Sequence, residues 1–290
     1  GYCHDRLLRN AESLACYDRH LENDPYSFDA WYNRGIVLNR MERFEDAAAS
    51  YEMAIAINSD FSSAYYNRGN ALANLGRLEE AIESYQEVLE LEGGDAPTFY
   101  NIALAYEELQ DYGSATAFFR RAVNLDEFYT EAWYGLGCSL DAMEAYDEAV
   151  ESFNAAIELD PTIPEFWYAR ADSLYNAGQI VDSIASYGHV VALEPLNREA
   201  WLDFAETLFE AHRFEEALLA YEKTLDLSPE NAGAYFQQAK ALFALGRPEE
   251  SIRSLKAAFR LDPNKKLEFA HTYPDLYRDA QIRSILGLDR

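Results

Sequence analysis

Aromatic residues recur along the chain at one constant interval, as in the step from Trp133 to Trp167 and on to Trp201. After each aromatic, small or apolar residues follow at the fourth and seventh positions, and after Trp133 the set Leu136, Gly137 and Leu140 fills the third, fourth and seventh. This spacing places the four side chains on one face of a helix. A second group with helical spacing follows in every interval, so the pattern predicts pairs of amphipathic helices in tandem repeats. The aromatic column consists of Trp31, Tyr65, Phe99, Trp133, Trp167, Trp201 and Tyr235.

Small residues form a second column, four positions after each of these aromatics. Small side chains let two helices approach closely, and a large side chain from the facing helix can fill the remaining space. A matching aromatic column stands in the second helix of six of the seven pairs, and Leu255 takes its place in the last. The small column is Gly35, Gly69, Ala103, Gly137, Ala171, Ala205 and Ala239, and the aromatic column is Tyr51, Tyr85, Phe119, Phe153, Tyr187 and Tyr221. Proline closes the unit at Pro25, Pro161, Pro195, Pro229 and Pro263.

The period and the order of Trp, Gly, Ala, aromatic and Pro resemble the tetratricopeptide repeat family. The resemblance implies an all-α fold, a right-handed α-α superhelix or solenoid of tandem helical hairpins with a C-terminal capping helix. The register predicts a partial repeat with a truncated first helix at 1–27, seven complete repeats at 28–265 and capping helices at 266–290. In this last segment Pro274 interrupts the apolar pattern, which predicts a short helix, a break and a final helix. A cap is expected because a terminal repeat otherwise exposes its core. A start at Gly1 favours a fragment or a processed product.

Two features of the connections stand out. Gly76, Gly178 and Gly246 fall between the two helices of their repeats, where a left-handed residue is expected. The stretch 92–95 reads Glu-Gly-Gly-Asp in place of the usual link between repeats. It is either a hinge or a variant of an ordinary loop.

The charge balance is strongly acidic, with 51 Asp and Glu against 24 Lys and Arg and a formal net charge of −27. This charge disfavours nucleic acid and anionic membrane surfaces as partners. No apolar stretch approaches the ~20 residues that span a bilayer, so membrane insertion is not expected. Three cysteines are too few for a disulfide scaffold, which makes the cytoplasm the default location. The acidic, lysine-poor composition also suggests adaptation to high salt, a hypothesis that the salt dependence of the melting temperature would test.

The resemblance implies that the first helices line a concave groove, so their outward columns are the candidate binding residues. The residues after the seven Trp-column aromatics are Leu202 and six aromatics, and these six are the candidates: Tyr32, Tyr66, Tyr100, Tyr134, Tyr168 and Phe236. The next column begins with Asn33, Asn67 and Asn101. These rings either contact a partner or pack against neighbouring helices. The asparagines either hold the backbone of an extended peptide, as in some relatives, or are ordinary family residues.

Acidic side chains complete the candidate surface, with Asp172 and Glu206 as its members further along the chain. The family's carboxylate clamp for acidic tails needs Lys where this chain has Tyr. The expected partner is therefore a protein or peptide segment that is basic or aromatic-rich. The chain itself is expected to be a monomer or a weak homo-oligomer.

Nothing in the sequence indicates an enzyme, because no phosphate loop, dinucleotide fingerprint or nucleophile elbow is present. One cluster, Cys3, His4, Cys16 and His20, has metal-ligand residue types, and Cys16 and His20 stand at i and i+4. The helical pattern assigns these positions to packing, and we expect neither a metal nor a cofactor. The predicted function is a protein-interaction scaffold. The alternative is the substrate-recruiting or regulatory part of a larger enzyme or secretion assembly.

Overall fold

The structure, a computed structural model, describes residues 2–288 and the side chains of residues 9–288. This described part contains eighteen helices and no strand. The helices are α1 (Tyr2–Asn23), α2 (Phe28–Arg40), α3 (Phe44–Ile57), α4 (Ser62–Asn74), α5 (Leu78–Glu92), α6 (Ala96–Glu108), α7 (Tyr112–Leu125), α8 (Thr130–Ala142), α9 (Tyr146–Leu159), α10 (Pro164–Asn176), α11 (Ile180–Leu193), α12 (Arg198–Glu210), α13 (Phe214–Leu227), α14 (Ala232–Ala244), α15 (Pro248–Leu261), α16 (Lys265–Thr272), α17 (Pro274–Arg278) and α18 (Ala280–Leu286). None of these helices is both long enough and apolar enough to cross a bilayer.

The helices form two compact units, residues 1–155 and 156–290. In both units consecutive helices pack as hairpins, and each hairpin packs on the next. The core of the first unit contains Leu38, Tyr51, Leu72 and Tyr85, all with at most 2% of their surface exposed. The second unit buries the corresponding columns, including Ala205 and Tyr221. The repeated hydrophobic face of each helix is therefore what joins the hairpins.

Close contact between the two helices of a hairpin depends on the small-residue column. A Cβ added to Gly35 would lie 2.5 Å from the Tyr51 ring, and one added to Gly69 would lie 2.5 Å from the Tyr85 ring. Such a distance is well inside van der Waals contact. In these repeats the aromatic ring of the second helix thus lies directly on the backbone of the first.

The turn between the two helices is left-handed in all seven repeats. Glycine supplies this conformation at Gly76, Gly178 and Gly246, with φ between 71° and 75°. The N–H of the residue after the turn donates to the carbonyl five positions earlier, as from Arg43 to Leu38 at 3.0 Å. This is the hydrogen-bond pattern of a Schellman motif, and it terminates each first helix. In the other repeats the left-handed residue is Glu42, Gln110, Glu144 or His212, with φ between 58° and 61°.

Tryptophan side chains tie the links between repeats to the helices that follow. The indole N–H of Trp31 donates to the carbonyl oxygen of Pro25 at 2.9 Å, and that of Trp167 donates to Pro161 at 2.9 Å. Trp133 and Trp201 donate in the same way to the carbonyl six positions earlier. The Trp column therefore satisfies carbonyl groups of the link while its rings pack on the hairpin.

Polar pairs also join the two helices of several hairpins. An arginine on the first helix donates to a serine on the second, which in turn donates to its own helix backbone. In the repeat that carries Ile102 at the arginine position, the serine position holds Phe118. The pairs are Arg34–Ser50 at 2.6 Å, Arg68–Ser84 at 2.7 Å and Arg170–Ser186 at 2.6 Å.

The 92–95 junction contains two left-handed glycines, with φ of 80° at Gly93 and 78° at Gly94. Gly93 ends α5, and Asp95 begins α6 by accepting a hydrogen bond from the Thr98 N–H at 2.9 Å. A Cβ on Gly94 would lie within van der Waals contact of the Leu89 side chain, at 2.3 Å. The junction is thus a capped turn in contact with the first unit's core.

Three short helices, α16 to α18, follow the last hairpin, whereas the sequence pattern predicts a short helix, one break and one final helix. Pro274 begins α17, and Asp279 begins α18 by accepting backbone N–H bonds at 2.8 and 3.0 Å. The second break arises because Asp279 is a good N-cap residue, which the apolar pattern does not reveal. Phe269, Leu286 and Leu288 from this segment are buried against the α14–α15 hairpin.

Candidate functional site

The tyrosine column on the first helices is partly buried rather than fully open. Each ring packs on the core aromatic from the second helix of its own repeat, with centroids 5.6 to 5.9 Å apart. Two of the rings also contact an aromatic of the following link, Tyr32 with Phe61 at 4.7 Å and Tyr100 with Tyr129 at 4.9 Å. Each ring therefore keeps only an edge for a partner. The pairs within repeats are Tyr32–Tyr51, Tyr66–Tyr85, Tyr100–Phe119, Tyr134–Phe153 and Tyr168–Tyr187.

Several of the tyrosine hydroxyls are engaged by the next repeat. Asn67 donates its amide to the Tyr32 hydroxyl at 2.9 Å, and Asn101 donates to the Tyr66 hydroxyl at 2.9 Å. In the second unit the Tyr168 hydroxyl donates to the carboxylate of Asp203. These bonds join successive first helices along the face predicted to bind a partner.

The asparagine column consequently has two different environments. Asn33 donates to the Asp29 carbonyl of its own helix at 2.7 Å. Asn101 reaches a second acceptor, the Asn70 side-chain oxygen at 3.2 Å, and that oxygen also accepts the Tyr85 hydroxyl at 2.7 Å. The amide groups of Asn67 and Asn101 thus serve the fold as donors, which leaves their oxygens for a partner.

Phe236 does not lie on the open face, although its column predicts that position. Its side chain is 1% exposed and lies in a cluster with Phe259, Phe269 and Leu286. The C-terminal helices that create this cluster have no counterpart in the repeat pattern, so the column alone gives the wrong environment. Phe236 is therefore excluded from the candidate surface.

The second unit contains a polar cavity of about 350 Å³ on its first-helix face. The Tyr187 hydroxyl donates to Asp172 there, just as that of Tyr168 donates to Asp203. The predicted residues Tyr168, Asp172 and Glu206 are thus brought together. The complete lining is Tyr168, Asp172, Tyr175, Tyr187, Asp203, Glu206 and Thr207.

Burial raises the pKa of two carboxyl groups in this cavity. For Asp203 the loss of solvation is the main cause, and the nearby Glu199 adds to it while the Tyr168 hydrogen bond opposes the pKa shift. For Glu206 burial is again the main cause of the raised pKa, followed by the charge of Asp203, and Lys240 opposes it only weakly. Loss of solvation thus raises the pKa of both carboxyl groups, and no Lys or Arg lines the cavity to offset it.

A tyrosine at the edge of the cavity responds to the same charge. Hydrogen bonding to Glu210, followed by burial, raises the pKa of Tyr175 to about 12. The charge of Glu206 acts in the same direction. The tyrosine hydroxyls here therefore remain protonated and act as donors to carboxylates.

The corresponding face of the first unit is less charged. Its cavity of about 230 Å³ contains one carboxylate, Glu108, beside apolar and amide side chains. Nearby, the pKa of Glu107 is raised by burial, while a hydrogen bond from Ser139 at 3.1 Å opposes the shift. The first-helix faces of the two units thus differ in polarity, although the same repeat columns form them. The lining of this cavity is Ala73, Asn74, Leu78, Tyr85, Asn101, Leu104, Ala105 and Glu108.

Profiles of the tetratricopeptide repeat family match most of the chain, at residues 28–61, 62–95, 96–129, 130–163, 168–232 and 202–266. The chain belongs to the tetratricopeptide repeat family. Membership agrees with the all-helical hairpins, and it supports a role in protein interaction, since members are generally non-catalytic scaffolds. A sequence comparison with curated proteins finds no match.

Solved tetratricopeptide structures share this fold. YrrB, described as a TPR protein with an unusual peptide-binding site, superposes with a TM-score of 0.58 at 23% identity, over 63% of this chain and 95% of its own. MamA from Desulfovibrio magneticus RS-1 gives 0.54 at 20% identity, over 59% and 96%. The C-terminal part of a TPR repeat-containing protein from Cytophaga hutchinsonii gives 0.69 at 13% identity, over 88% and 99%. At these identities the similarity establishes the fold alone.

The cysteine–histidine cluster of this tetratricopeptide protein is only partly within the described side chains, since Cys3 and His4 lie outside them. Cys16 and His20 are exposed, and Arg19 donates to the Cys16 sulfur at 3.6 Å. Within residues 9–288 no three His, Cys, Asp or Glu side chains are arranged to hold a metal ion. Burial raises the pKa of the Cys138 thiol to about 11, which makes it a poor nucleophile.

Proposed function

We propose that this tetratricopeptide protein is an interaction scaffold that binds a segment of a partner protein along its first-helix face. The bound segment is basic or aromatic-rich. The observation that carries the proposal is the acidic, tyrosine-lined cavity of the second unit, where Asp172, Asp203 and Glu206 face the same space. Electrostatic complementarity of this kind selects a positively charged partner and disfavours an acidic one.

The partly buried tyrosines set the scale of the affinity. A ring that already packs on a core aromatic offers less than half of its surface to a partner, so four rings supply at most ~350 Å² of apolar area. At about 25 cal/mol/Å² this gives roughly 9 kcal/mol before the cost of association, which is on the order of 4–15 kcal/mol. Binding in the micromolar range is therefore expected, with charge pairs supplying much of the selectivity.

The comparison with YrrB adds support at the level of the fold, because that protein is described as having a peptide-binding site. The first-helix face of this chain also has features of its own that suit a peptide. The side chains of Asn67 and Asn101, which are half-buried, donate through their nitrogens to tyrosine hydroxyls on successive first helices and keep their oxygens as acceptors. An extended or helical segment that follows this face would meet one such set in each of these two repeats.

A displayed library of random short peptides tests the proposal. Selection on the wild-type protein is expected to enrich Arg, Lys and aromatic residues, and the enriched peptides are expected to lose affinity for the variant Asp172→Asn/Asp203→Asn/Glu206→Gln. The matched control is Glu215→Gln/Glu222→Gln/Asp226→Asn, which removes the same charge from exposed positions on α13. Equal loss of affinity in both variants, or enrichment of acidic peptides, would contradict the proposal.

Charge variants are preferable to Tyr→Ala variants for this test. Tyr66 and Tyr100 pack on Tyr85 and Phe119, so truncating them would open cavities in the fold as well as change the surface. Asn and Gln keep the shape and an accepting oxygen of the carboxylates that they replace. Their effect therefore reports on charge at the surface.

A further inference from the structure

We propose that the acidic face of the second unit contains a pocket for one arginine side chain of the partner, with the guanidinium group held by Glu206, Asp203, Gln237 and the hydroxyl of Tyr221. This assignment deepens the proposed function and rests on it. It names one side chain as the specificity determinant of the bound segment.

The first argument comes from the core aromatic column. A tyrosine in this column meets one particular residue of the first helix: the Tyr85 hydroxyl donates to Asn70 at 2.7 Å, and the Tyr187 hydroxyl donates to Asp172. Where the corresponding first-helix residue is Leu104 or Cys138, the column holds phenylalanine. Polar partners and hydroxyl groups therefore occur together in these four repeats.

Tyr221 has a polar residue at the corresponding position but lacks the hydrogen bond to it. The corresponding first-helix residue of its repeat is Glu206, yet its hydroxyl has no hydrogen-bond partner within the described residues. The side chain is completely buried, and the charges of Glu206 and Glu210 act on it. Burial, the larger cause, and these two charges raise the pKa of its hydroxyl well above the ordinary value. A buried, unpartnered hydroxyl thus lies beside the carboxylates.

Gln237 supplies a second unpartnered group at the same place. Its amide nitrogen bonds to Glu206, while its side-chain oxygen is buried and has no partner in the described part of the chain. An unpaired buried polar atom costs free energy, and a ligand that pairs it recovers that cost. Two such atoms beside Glu206 indicate that a hydrogen-bonding group is missing there.

The missing group is a donor. The hydroxyls of Tyr168 and Tyr187 and the amide of Gln237 already donate to carboxylates of this face. Apart from the Tyr221 O–H, which is itself an unused donor, the remaining capacity consists of carboxylate oxygens, the Gln237 oxygen and the lone pairs of the Tyr221 hydroxyl, all of which accept. A guanidinium carries five N–H donors in a planar fork and no acceptor, whereas an ammonium carries three donors at one point. The wide spread of acceptors favours the guanidinium.

Charge agrees with this ligand. Asp203 and Glu206 line the 350 Å³ cavity, whose lining includes no Lys or Arg, while Gln237 and Tyr221 lie outside that lining. The cation that acts on Glu206 is Lys240, whose ammonium lies over the Phe209 ring at 5.0 Å. Glu206 and Gln237 are partly exposed, so rotation of their side chains gives a ligand access to the Tyr221 hydroxyl. A guanidinium would compensate the charge that the fold leaves uncompensated.

Titration with Nα-acetyl-arginine amide tests the pocket, followed through the side-chain amide resonance of Gln237. A saturating shift with a dissociation constant in the millimolar range is expected. The neutral isostere Nα-acetyl-citrulline amide is expected to produce no saturation, and Nα-acetyl-lysine amide is expected to bind about fivefold more weakly. Equal response to citrulline, or equal affinity for lysine, would overturn the guanidinium assignment.

Substitutions of the pocket residues test where in the second unit the arginine derivative binds. Glu206→Gln should weaken binding of the arginine derivative about tenfold or more, and Tyr221→Phe should weaken it about fivefold, the value of one hydrogen bond. The matched control is Tyr51→Phe, which removes the other unpartnered hydroxyl of the column, where the corresponding first-helix residue is Ile36. Unchanged affinity in Tyr221→Phe would remove this hydroxyl from the pocket and overturn the proposal.

The two proposals can fail separately. Saturable arginine binding without selection of any peptide would leave the pocket in place and remove the peptide-binding scaffold. Selection of peptides that depend on Asp172 but lack an essential arginine would support the scaffold and overturn the pocket.

Discussion

The side-chain amide of Asn101 donates a hydrogen bond to the hydroxyl of Tyr66, 2.9 Å away and one repeat earlier in the chain. The same relationship joins Asn67 to Tyr32. A face that the sequence assigns to partner binding therefore also holds successive hairpins together. We expect a double-mutant cycle of Tyr66→Phe and Asn101→Ala to give a coupling energy of about 0.5–1.5 kcal/mol in denaturant unfolding.

Tyr100→Phe is the control for this cycle, because the corresponding position in the next repeat is Gly135, which has no side chain to donate. Its effect on unfolding should be within about 0.5 kcal/mol. A coupling energy of zero for Tyr66 and Asn101 would show that the bond adds nothing to the interface between hairpins.

The non-glycine left-handed turns give a second prediction. Gln110 and His212 adopt φ of 60° and 59°, a conformation that costs an L-residue roughly 1–2 kcal/mol. Gln110→Gly and His212→Gly are each expected to raise the free energy of unfolding by about 0.5–1 kcal/mol after the greater flexibility of the unfolded chain is subtracted. Thermal unfolding measures the change. Gly178→Ala, at the same turn position, should lower stability by about 1 kcal/mol, and the opposite signs together test the assignment.

Two glycines inside helices allow the effect of packing on stability to be measured apart from the effect of helix propensity. Gly35→Ala places a Cβ 2.5 Å from the buried Tyr51 ring and should destabilise the first unit by about 1–3 kcal/mol. Gly188, in α11, has no atom within 4 Å of an added Cβ. Gly188→Ala should therefore stabilise the protein by about 0.5–1 kcal/mol through helix propensity alone. Equal effects of the two substitutions on the melting temperature would disprove the close contact.

The acidic cavity predicts a particular dependence of stability on pH. Burial raises the pKa of Asp203 and Glu206 in the folded state, with Glu199, Glu210 and Lys240 as the other charges that act on them. Between the ordinary and the raised pKa the folded protein holds more protons than the unfolded chain, so its stability falls as pH rises through this window. Asp203→Asn/Glu206→Gln should thus be more stable than wild type at neutral pH.

The difference between this double variant and wild type should shrink as pH falls towards the ordinary carboxyl range. Hydrogen bonds to Arg77 and Arg213 lower the pKa of Glu80 and Glu216, so these carboxylates lose their contribution in acid in both proteins and cancel in the comparison. Melting temperatures of the two proteins across a pH series provide the measurement. A difference that is constant with pH would contradict the shifts.

Two tyrosines of the core column predict opposite responses to the same substitution. Tyr221→Phe removes a buried hydroxyl that has no partner in the described residues and should raise the free energy of unfolding by about 1 kcal/mol. Tyr187→Phe removes a hydroxyl bonded to Asp172 and should lower it by about 1–2 kcal/mol. Denaturant unfolding of the two variants decides the point. Destabilisation of both would indicate that ordered water serves Tyr221.

Periodicity predicts the helices well, because apolar residues such as Leu38 and Tyr51 repeat at positions that only two packed helices can bury together. It does not predict the left-handed conformation at Glu42 or His212, since the only local signal for that conformation is glycine. Nor does it predict the burial of Phe236, which depends on residues after the last repeat. Contacts between successive repeats become visible only when neighbouring columns are compared.

The candidate site, like the fold, could be predicted from the sequence only in part. The sequence indicates Tyr168, Asp172 and Glu206 from their columns, but it gives no reason to single out Tyr221, whose column is shared with ordinary core residues. The decisive property is the absence of a hydrogen-bond partner for one hydroxyl within the described residues, and this requires atomic positions. Side-chain networks are set by rotamers, whereas columns specify only which face a residue occupies.

The bond from each tryptophan indole to the preceding link makes these residues local optical probes. Trp31, Trp133, Trp167 and Trp201 each report on one junction, because loss of the indole bond exposes that ring to water and shifts its emission to longer wavelength. Variants that retain a single tryptophan would resolve the order in which the junctions open under denaturant. The four tryptophans thus serve as fluorescent probes of four separate junctions, from the link at Pro25 to the link at Pro195.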